Sequence, residues 1–206
     1  MTDKGLLPIQ LHRFLPVTEV EGPGKRACVW VQGCPIHCKG CGVPWTWNPK
    51  KGTRTTVDDI WKKIEMSIEK YDIEGITFLG GEPFEQALAL AELGRRAKEK
   101  GLSIMAFSGY YKEQLEEMNK EGWKELYEVT DLFIDGPFER DYIDKERPWV
   151  GSMNQRFHFL TERYKHLEHK LTMIHDKLEI YVQNDGTIAA NGMVSPEIWH
   201  RLLDDL

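Results

Sequence analysis

The sequence predicts an α/β fold built on a parallel sheet. Segments typical of buried strands alternate with segments of helical periodicity, and residues 26–33 form a nearly continuous apolar run. A strand that is apolar on both faces is expected inside a sheet that helices cover. Helices between consecutive strands imply parallel pairing through right-handed crossovers. The 206 residues have the length of one ordinary domain.

The first predicted helix spans residues 56–71. Thr56 is suited to be its N-cap, because a threonine hydroxyl can accept a hydrogen bond from the free backbone N–H groups of the first turn. Isoleucines at 60, 64 and 68 recur at helical spacing and form one apolar stripe. The helix can therefore cover one face of the sheet between the strand at 26–33 and the next one, at 75–81.

Four further segments continue the alternation. Residues 84–101 are predicted to be helical, and Gly101 can end that helix in the left-handed conformation. A strand is predicted at 102–109, and residues 111–129 are largely helical around a break at Gly122. The last strand of this series is predicted at 131–138.

A C-terminal extension, residues 161–206, is expected to pack on a core domain formed by residues 1–160. Its first part is predicted to be partly helical. Residues 177–193 then indicate a hairpin with turn residues at 184–186, and a short helix follows with Ser195 as its cap and Pro196 in its first turn. The extension is expected either to cover part of the sheet or to recognise a partner.

The composition favours an intracellular enzyme. The net charge is −6, and lysines and arginines are scattered without a block of like charges, so nucleic acid is not expected as a partner. No apolar run is typical of a signal peptide or a membrane span. Four cysteines in a chain of this length do not indicate a disulfide scaffold. We therefore expect a cytoplasmic protein.

Three cysteines at close spacing, Cys34, Cys38 and Cys41, are the strongest chemical signal. A closed zinc site needs four protein ligands, whereas three thiolates on a 4Fe–4S cluster leave one iron free to bind another molecule. Zinc remains an alternative, with Cys28 or His37 as the fourth ligand. Cys28, however, lies in an apolar strand where a thiol packs as a small apolar group, and His37 stands awkwardly between two of the proposed ligands.

A second motif, Gly80-Gly81-Glu82-Pro83, follows the cysteines after about forty residues, at the end of a predicted strand. Glycines allow a ligand to approach the backbone closely, because they carry no Cβ. A carboxylate such as that of Glu82 is a suitable partner for an ammonium group. The motif therefore predicts a ligand site at the carboxyl end of the sheet, where parallel sheets bind their ligands.

Together, the cysteine motif and the Gly-Gly-Glu motif resemble the radical S-adenosylmethionine (SAM) superfamily. The resemblance implies that the three cysteines hold a 4Fe–4S cluster and that the amine and carboxylate of SAM chelate its fourth iron. It also implies that the Gly-Gly-Glu stretch contacts the methionyl amine. The implied architecture is an open partial (βα) barrel rather than a closed eight-fold one.

Within that superfamily, residues 14–160 resemble the activating proteins of anaerobic ribonucleotide reductase. The segments that carry this resemblance are residues 21–41, 108–110, 135–136 and 151–155. It implies that the backbone at Gly40 and Gly42 lies beside the adenine of SAM. Four polar residues are implied near the ribose, the sulfonium or the mouth of the site: Ser108, Asp135, Asn154 and Gln155.

The implied activity is the formation of a 5′-deoxyadenosyl radical that abstracts hydrogen from a glycine of a large reductase. A one-electron donor such as flavodoxin would reduce the cluster. The sequence departs from the family pattern at Val43 and Leu79, and Trp45 and Trp47 make the loop after the cysteines unusually aromatic. These departures leave an alternative open, in which a direct-acting radical SAM enzyme modifies a small molecule or a peptide.

Overall fold

A seven-stranded sheet forms the centre of the protein. The computed structural model describes residues 3–175, 177–182 and 188–192. The sheet has the strand order β3-β1-β2-β4-β5-β6-β7. Its strands are β1 (Pro8–Thr18), β2 (Arg26–Val31), β3 (Thr53–Thr56), β4 (Gly75–Gly80), β5 (Ser103–Phe107), β6 (Leu132–Asp135) and β7 (Arg156–Phe159).

The four predicted strands correspond to β2, β4, β5 and β6, and they pair in parallel as predicted. Their registers bring apolar residues together on adjacent strands, as in Val29 opposite Phe78 and Ala106 opposite Phe133. The predicted α/β class is therefore confirmed. The sheet is open, with β3 and β7 as the edges of its described part, and its curvature into a partial barrel stays a prediction.

Helices fill the connections between the parallel strands. They are α1 (Val57–Tyr71), α2 (Ala87–Glu99), α3 (Lys112–Met118) and α4 (Trp123–Val129), and the short α5 (Glu162–Lys165) follows β7. Thr56 caps α1 as predicted, since its side chain accepts a hydrogen bond from the backbone N–H of Asp59. The predicted helix at 84–101 begins with a 3-10 turn, Pro83–Gln86, before α2 starts. The predicted break at Gly122 separates α3 from α4, and this glycine has a φ of +82°.

The main core lies between the sheet and these helices. Its fully buried side chains include Ile64 of α1, Leu90 of α2, and Phe78 and Phe133 of the sheet. Burial of large apolar side chains of this kind contributes about 1.5–3 kcal/mol each to folding. Because the helices pack tightly on the sheet, the ends of its parallel strands are fixed relative to one another.

Three antiparallel strands were not predicted. β1 pairs with β2 on one side and with β3 on the other, while β7 pairs with β6 at the opposite edge. The side chain of Gln86 joins β1 to β2 where the two strands separate. Its Oε1 accepts from the Gln10 N–H at 2.8 Å, and its Nε2 donates to the carbonyls of Gln10 and Gln32 at 3.1 and 3.0 Å.

The predicted C-terminal hairpin is confirmed as β8 (Leu178–Val182) paired antiparallel with β9 (Ile188–Gly192). Glu179 of β8 accepts hydrogen bonds from the hydroxyl of Thr18 and the N–H of Glu19, at 2.5 and 2.8 Å. The predicted turn residues 184–186 and the predicted helix from Ser195 lie outside the described residues. The boundary at residue 160 stays a prediction. In the described part of the chain, no helix is long and apolar enough to cross a membrane.

Candidate active site

The cysteine loop follows β2 directly, and its two limbs are joined by backbone hydrogen bonds. The N–H of Gly33 donates to the carbonyl of Thr46 at 2.7 Å, and the N–H of Cys34 donates to that of Trp47 at 3.0 Å. The buried side chain of Gln32 donates to the carbonyls of Trp45 and Asn48, both at 2.9 Å. Protein contacts thus define the shape of the loop.

The three predicted cluster ligands lie half-buried on this loop. Burial raises the pKa of the Cys34 and Cys38 thiols. Backbone N–H groups act in the opposite direction, from His37 and Ile36 toward Cys34 and from Phe138 toward Cys38. At Cys41, the sulfur accepts a hydrogen bond from the N–H of Val43 at 3.4 Å. N–H donors around sulfur favour the thiolate form that iron requires.

Cys28 and His37, the two residues considered as a fourth zinc ligand, make other contacts in the structure. Cys28 is fully buried in β2, and burial raises the pKa of its thiol well above the usual range. The ring of His37 stacks on Trp47 with the ring centroids 4.6 Å apart. In the described residues, no three His, Cys, Asp or Glu side chains are grouped so that they could share one metal ion. A 4Fe–4S cluster does not need such a group, because each thiolate binds a different iron.

Gly80 and Gly81 bring the end of β4 against the end of β2. Gly80 has a φ of +112°, and a Cβ on it would come within 2.6 Å of the backbone of Val31. A Cβ on Gly81 would overlap the carbonyl oxygen of Gly33. The glycines are therefore required for the backbone of this motif to lie beside the stem of the cysteine loop.

Glu82 is buried where three strand ends meet. Its carboxylate accepts hydrogen bonds from the N–H of Phe84 at 3.0 Å, the hydroxyl of Ser108 at 2.9 Å and the N–H of Gly109 at 2.8 Å. Burial, which outweighs these donors, raises the pKa of Glu82 to about 7. An ionised carboxylate offers about four acceptor positions, so capacity for one further donor remains. Pro83, the residue after Glu82, begins the 3-10 turn that the Glu82 side chain caps.

Ser108 is buried and links the end of β5 to Glu82. Besides donating to the carboxylate, its hydroxyl oxygen accepts a hydrogen bond from the N–H of Tyr110 at 3.0 Å. The structure therefore brings Ser108 and Glu82 together. A role for Ser108 at the ribose or sulfonium of SAM stays a prediction.

Asp135, at the end of β6, is fully buried and bound by protein donors. Arg156 donates to both of its carboxylate oxygens, at 2.8 and 2.5 Å, and the N–H of Lys112 donates at 2.8 Å. The Nε2 atom of His158 lies 3.1 Å from Oδ2 of Asp135. Although burial opposes ionisation, these groups hold the pKa of Asp135 below its usual range. Its role at SAM stays a prediction, and its observed partners tie β6 to β7.

Arg156 was missed in the sequence. It also donates to Glu113 of α3 at 2.7 Å, and its guanidinium stacks on the ring of Tyr111 at 4.8 Å. The signal available in the sequence was its position directly after Gln155, at the end of a predicted motif. Its partners lie far away along the chain, so the sequence alone does not indicate the pairing.

Asn154 and Gln155 shape the connection between β6 and β7. Gln155 accepts from the N–H of Gly151 at 2.7 Å and donates to the carbonyl of Gly136 at 3.3 Å. Asn154 donates to the carbonyl of Pro137 at 2.7 Å and to the hydroxyl of Tyr111 at 3.2 Å. Within the described residues its Oδ1 atom is buried without a hydrogen-bond partner, and a role for Asn154 and Gln155 at the mouth of the SAM site stays a prediction.

The two glycines on either side of Cys41, Gly40 and Gly42, differ in their surroundings. Gly40 has a φ of +82°, and a Cβ on it would meet Arg140 at 3.3 Å and Phe138 at 3.4 Å. A Cβ on Gly42 would have no neighbour within 4 Å in the described structure. The segment after β6 thus contacts the cysteine loop at Gly40, a contact that the sequence did not indicate. The position of the adenine beside both glycines stays a prediction.

These residues fit a 4Fe–4S cluster and SAM. Three thiolates lie on one loop, a glycine pair stands against that loop, and the buried Glu82 carboxylate supplies an acceptor. Beside the loop, a cleft of about 940 Å³ runs along Cys34 and His37 to Arg54. The cysteine loop, Glu82 and Ser108 thus lie together at neighbouring strand ends, and the inclusion of Asp135, Asn154 and Gln155 in the same site stays a prediction.

The comparisons with known proteins agree with this site. The family described as "4Fe-4S single cluster domain" matches residues 20–158. The anaerobic ribonucleoside-triphosphate reductase-activating protein of Vibrio cholerae is 31% identical over 156 residues, which cover 73% of this chain and 97% of that protein. The chain belongs to this radical SAM activase family. It is therefore an enzyme whose cofactors are a 4Fe–4S cluster and SAM.

Two further likenesses extend the comparison. The pyruvate formate-lyase-activating enzyme of Clostridium pasteurianum is 31% identical over 130 residues, covering 62% of this chain and 55% of that enzyme. The crystal structure of QueE from Escherichia coli is a partial likeness, with a TM-score of 0.44, 19% identity, and coverage of 52% of this chain and 55% of that one. The sequence relatives indicate that the chain is an activase of glycyl radical enzymes.

Proposed function

We propose that this activase generates the glycyl radical of an anaerobic ribonucleoside-triphosphate reductase. The observation that carries the proposal is the likeness to the Vibrio cholerae protein, which nearly spans that protein's full length. The joined strand ends support it, because the cysteine loop, Glu82 and Ser108 lie together at the carboxyl ends of β2, β4 and β5. The implied chemistry needs a cluster, a chelated SAM and an approaching glycine at one place.

When bound, the cluster and SAM supply a reductive cleavage that gives methionine and a 5′-deoxyadenosyl radical. We propose that Glu82 accepts a hydrogen bond from the ammonium group of SAM, using the acceptor capacity that its three protein donors leave. The Gly80-Gly81 pair would let the methionyl group lie close to the backbone. Asn154 is proposed to accept a donor of the nucleoside through its free Oδ1.

Two accessory features belong to the same proposal. The physiological reductant is proposed to be a one-electron carrier of the flavodoxin type, since the reaction consumes one electron for each SAM cleaved. The enzyme is proposed to act in the cytoplasm, where a reducing environment preserves the thiolate ligands. The partner is a large protein, so the substrate glycine must reach the site on a protein segment.

Electron paramagnetic resonance of the reconstituted enzyme tests this function. The reduced protein is mixed anaerobically with SAM and the anaerobic reductase from the same organism, and Cys38→Ala is the matched control. A glycyl-radical doublet that is absent with Cys38→Ala is the expected result. If SAM perturbs the cluster signal but no doublet forms, this partner is wrong, and a direct-acting enzyme on a small molecule or a peptide becomes the better hypothesis.

A further inference from the structure

The segment that contains the cysteine loop is free of acidic residues. From residue 22 to residue 57 there is no Asp or Glu, although the whole chain contains 33 of them and has a net charge of −6. The same segment contains six basic residues: Lys25, Arg26, Lys39, Lys50, Lys51 and Arg54. Lysines and arginines are scattered along the chain as a whole, but here their charge is not balanced by neighbouring carboxylates.

Five of these basic side chains are exposed, and the fold brings three of them together beside the cysteine loop, since Gln10 pairs with Arg54 and its side chain donates to the carbonyl of Lys51, the residue after Lys50. Lys39 lies between two of the cluster cysteines. Lys50 and Lys51 lie on the returning limb, whose turn is held by hydrogen bonds from their N–H groups to Asn48. Arg54 lies on β3 opposite Gln10, and it lines the cleft that reaches Cys34. We call Lys50, Lys51 and Arg54 the basic face.

The nearest acidic groups along the cleft neutralise this face only in part. Glu85 and Glu121 line the cleft on the side of α2 and the α3–α4 connection. Glu85 forms an ion pair with Lys120 and accepts a hydrogen bond from Tyr110. Glu121 balances the charge of Arg54 in the cleft, so the excess positive charge on this side of the cysteine loop is that of Lys50 and Lys51.

We infer that the basic face is the docking surface for the one-electron donor and that this donor presents an acidic surface around its redox group. This inference rests on the proposed function, because it assigns a surface to the reductant. In the transfer, the donor loses one electron and the 4Fe–4S cluster gains it, and no atom or proton needs to cross the interface. Exposed charges of one sign steer an oppositely charged partner and accelerate the encounter by about tenfold or more at low ionic strength.

The loop geometry also gives the donor a short route to the cluster. The returning limb is hydrogen-bonded to the stem of the loop, so Lys50 and Lys51 are only a few residues from the Trp47 carbonyl that binds the Cys34 N–H. His37 and Trp47, which stack on each other, line the cleft between the basic face and the cysteine loop. A partner seated on the basic face would therefore cover the outer side of the cysteine loop.

A binding measurement with charge-reversed variants tests the inference. The double variant Lys50→Glu/Lys51→Glu is titrated against oxidised flavodoxin, an acidic flavoprotein, at about 20 mM and about 300 mM ionic strength. We expect affinity at least tenfold weaker than wild type at the lower ionic strength and a much smaller difference at the higher one, where screening is strong. The affinity of the neutral variant Lys50→Gln/Lys51→Gln for flavodoxin should lie between that of wild type and that of the charge-reversed variant. The matched control is Lys62→Glu/Lys100→Glu, which makes the same charge change on an exposed residue of α1 and on the exposed residue that follows α2.

A second measurement follows reduction of the cluster. Reduced flavodoxin should reduce the cluster of Lys50→Glu/Lys51→Glu at least tenfold more slowly than that of wild type, whereas photoreduced 5-deazaflavin, a small neutral donor, should reduce both equally. Equal binding and equal reduction rates with flavodoxin for this variant and wild type would overturn the inference, as would an equal loss in the Lys62→Glu/Lys100→Glu control. Failure of the proposed function would show separately, as the absence of a glycyl radical with a chemical reductant.

Discussion

Substitution of Gly81 by alanine tests how closely the Gly-Gly-Glu motif must approach the cysteine loop. In the structure, a Cβ at this position would overlap the carbonyl oxygen of Gly33 and lie 2.8 Å from the carbonyl carbon. Gly33 directly precedes Cys34, and its carbonyl accepts the N–H of Glu82 at 2.8 Å. The substitution therefore acts on a cluster ligand and on the proposed SAM ligand at once.

The size of the effect follows from the contact distances. Ordinary Cβ contacts begin near 3.4 Å, and the carbonyl oxygen of Gly33 is the nearest atom to the added methyl group, so the backbones at 33 and 81 must separate by about 1 Å. Forcing one extra methyl group into a packed site costs about 1–3 kcal/mol. Weakening the hydrogen bond between Glu82 and Gly33 adds about 1 kcal/mol. We expect Gly81→Ala to lower the free energy of unfolding by about 2–4 kcal/mol.

The assay is anaerobic reconstitution followed by iron and sulfide analysis, together with denaturant unfolding. Gly81→Ala should bind less cluster than wild type, because the residue before Cys34 is displaced. Gly42→Ala is the matched control, since its new methyl group would meet nothing within 4 Å in the described structure. Full cluster content and wild-type stability in Gly81→Ala would refute the reasoning from close approach.

Two further substitutions should change stability with opposite pH dependence. The pKa of Glu82 is raised from 4.5 to about 7, so this carboxyl group favours the folded state fully below pH 4.5 and loses that contribution as pH rises through 7. From pH 4.5 to 7.5, wild type should therefore lose about 3 kcal/mol of unfolding free energy relative to Glu82→Gln. The pKa of Asp135 is lowered, so its contribution is present above the unfolded pKa and is lost as pH falls below it. Because Arg156 is 40% exposed, Asp135→Asn should cost only about 1–2 kcal/mol at pH 7, and the cost should shrink toward pH 3. Urea unfolding of each variant and wild type at both ends of its pH range provides the measurement. If the difference in unfolding free energy between a variant and wild type did not change with pH, the pKa shift assigned to that carboxyl group would be wrong.

The parallel centre of the fold could be predicted because each of its strands carries its own signal. The apolar run at 26–33 and the glycine-bounded strand at 75–81 are continuous enough to indicate burial on both faces. The antiparallel strands lack such a signal. β3 consists of Thr53–Thr56 with two exposed residues. It forms a strand only because its backbone pairs antiparallel with β1. Its pairing depends on tertiary contacts that local propensity does not contain.

The candidate site was predictable to the extent that its chemistry lies in short motifs. The three closely spaced cysteines and the Gly-Gly-Glu motif resemble the radical SAM superfamily, and that resemblance implied both cofactors. The partners of the buried carboxylates were not predictable, since Glu82 meets Ser108 and Asp135 meets Arg156 only through the order of strands in the sheet. The charge of the cysteine segment was visible in the sequence, but the place where its lysines gather depends on how the loop returns to β2.

The amide of Gln86 has a consequence for variation among relatives. The Gln86 side chain accepts a hydrogen bond from the backbone of Gln10 and donates to the carbonyls of Gln10 and Gln32. It therefore links β1 to the residue after β2 at the end of the strands that lies beside the cysteine loop. The register of the two strands is thus fixed at the catalytic end rather than at their connecting turn. An insertion or deletion next to Gln86 would therefore shift the strand end that leads into Cys34, and with it the iron ligands. We expect length differences between related enzymes to be rare at this point.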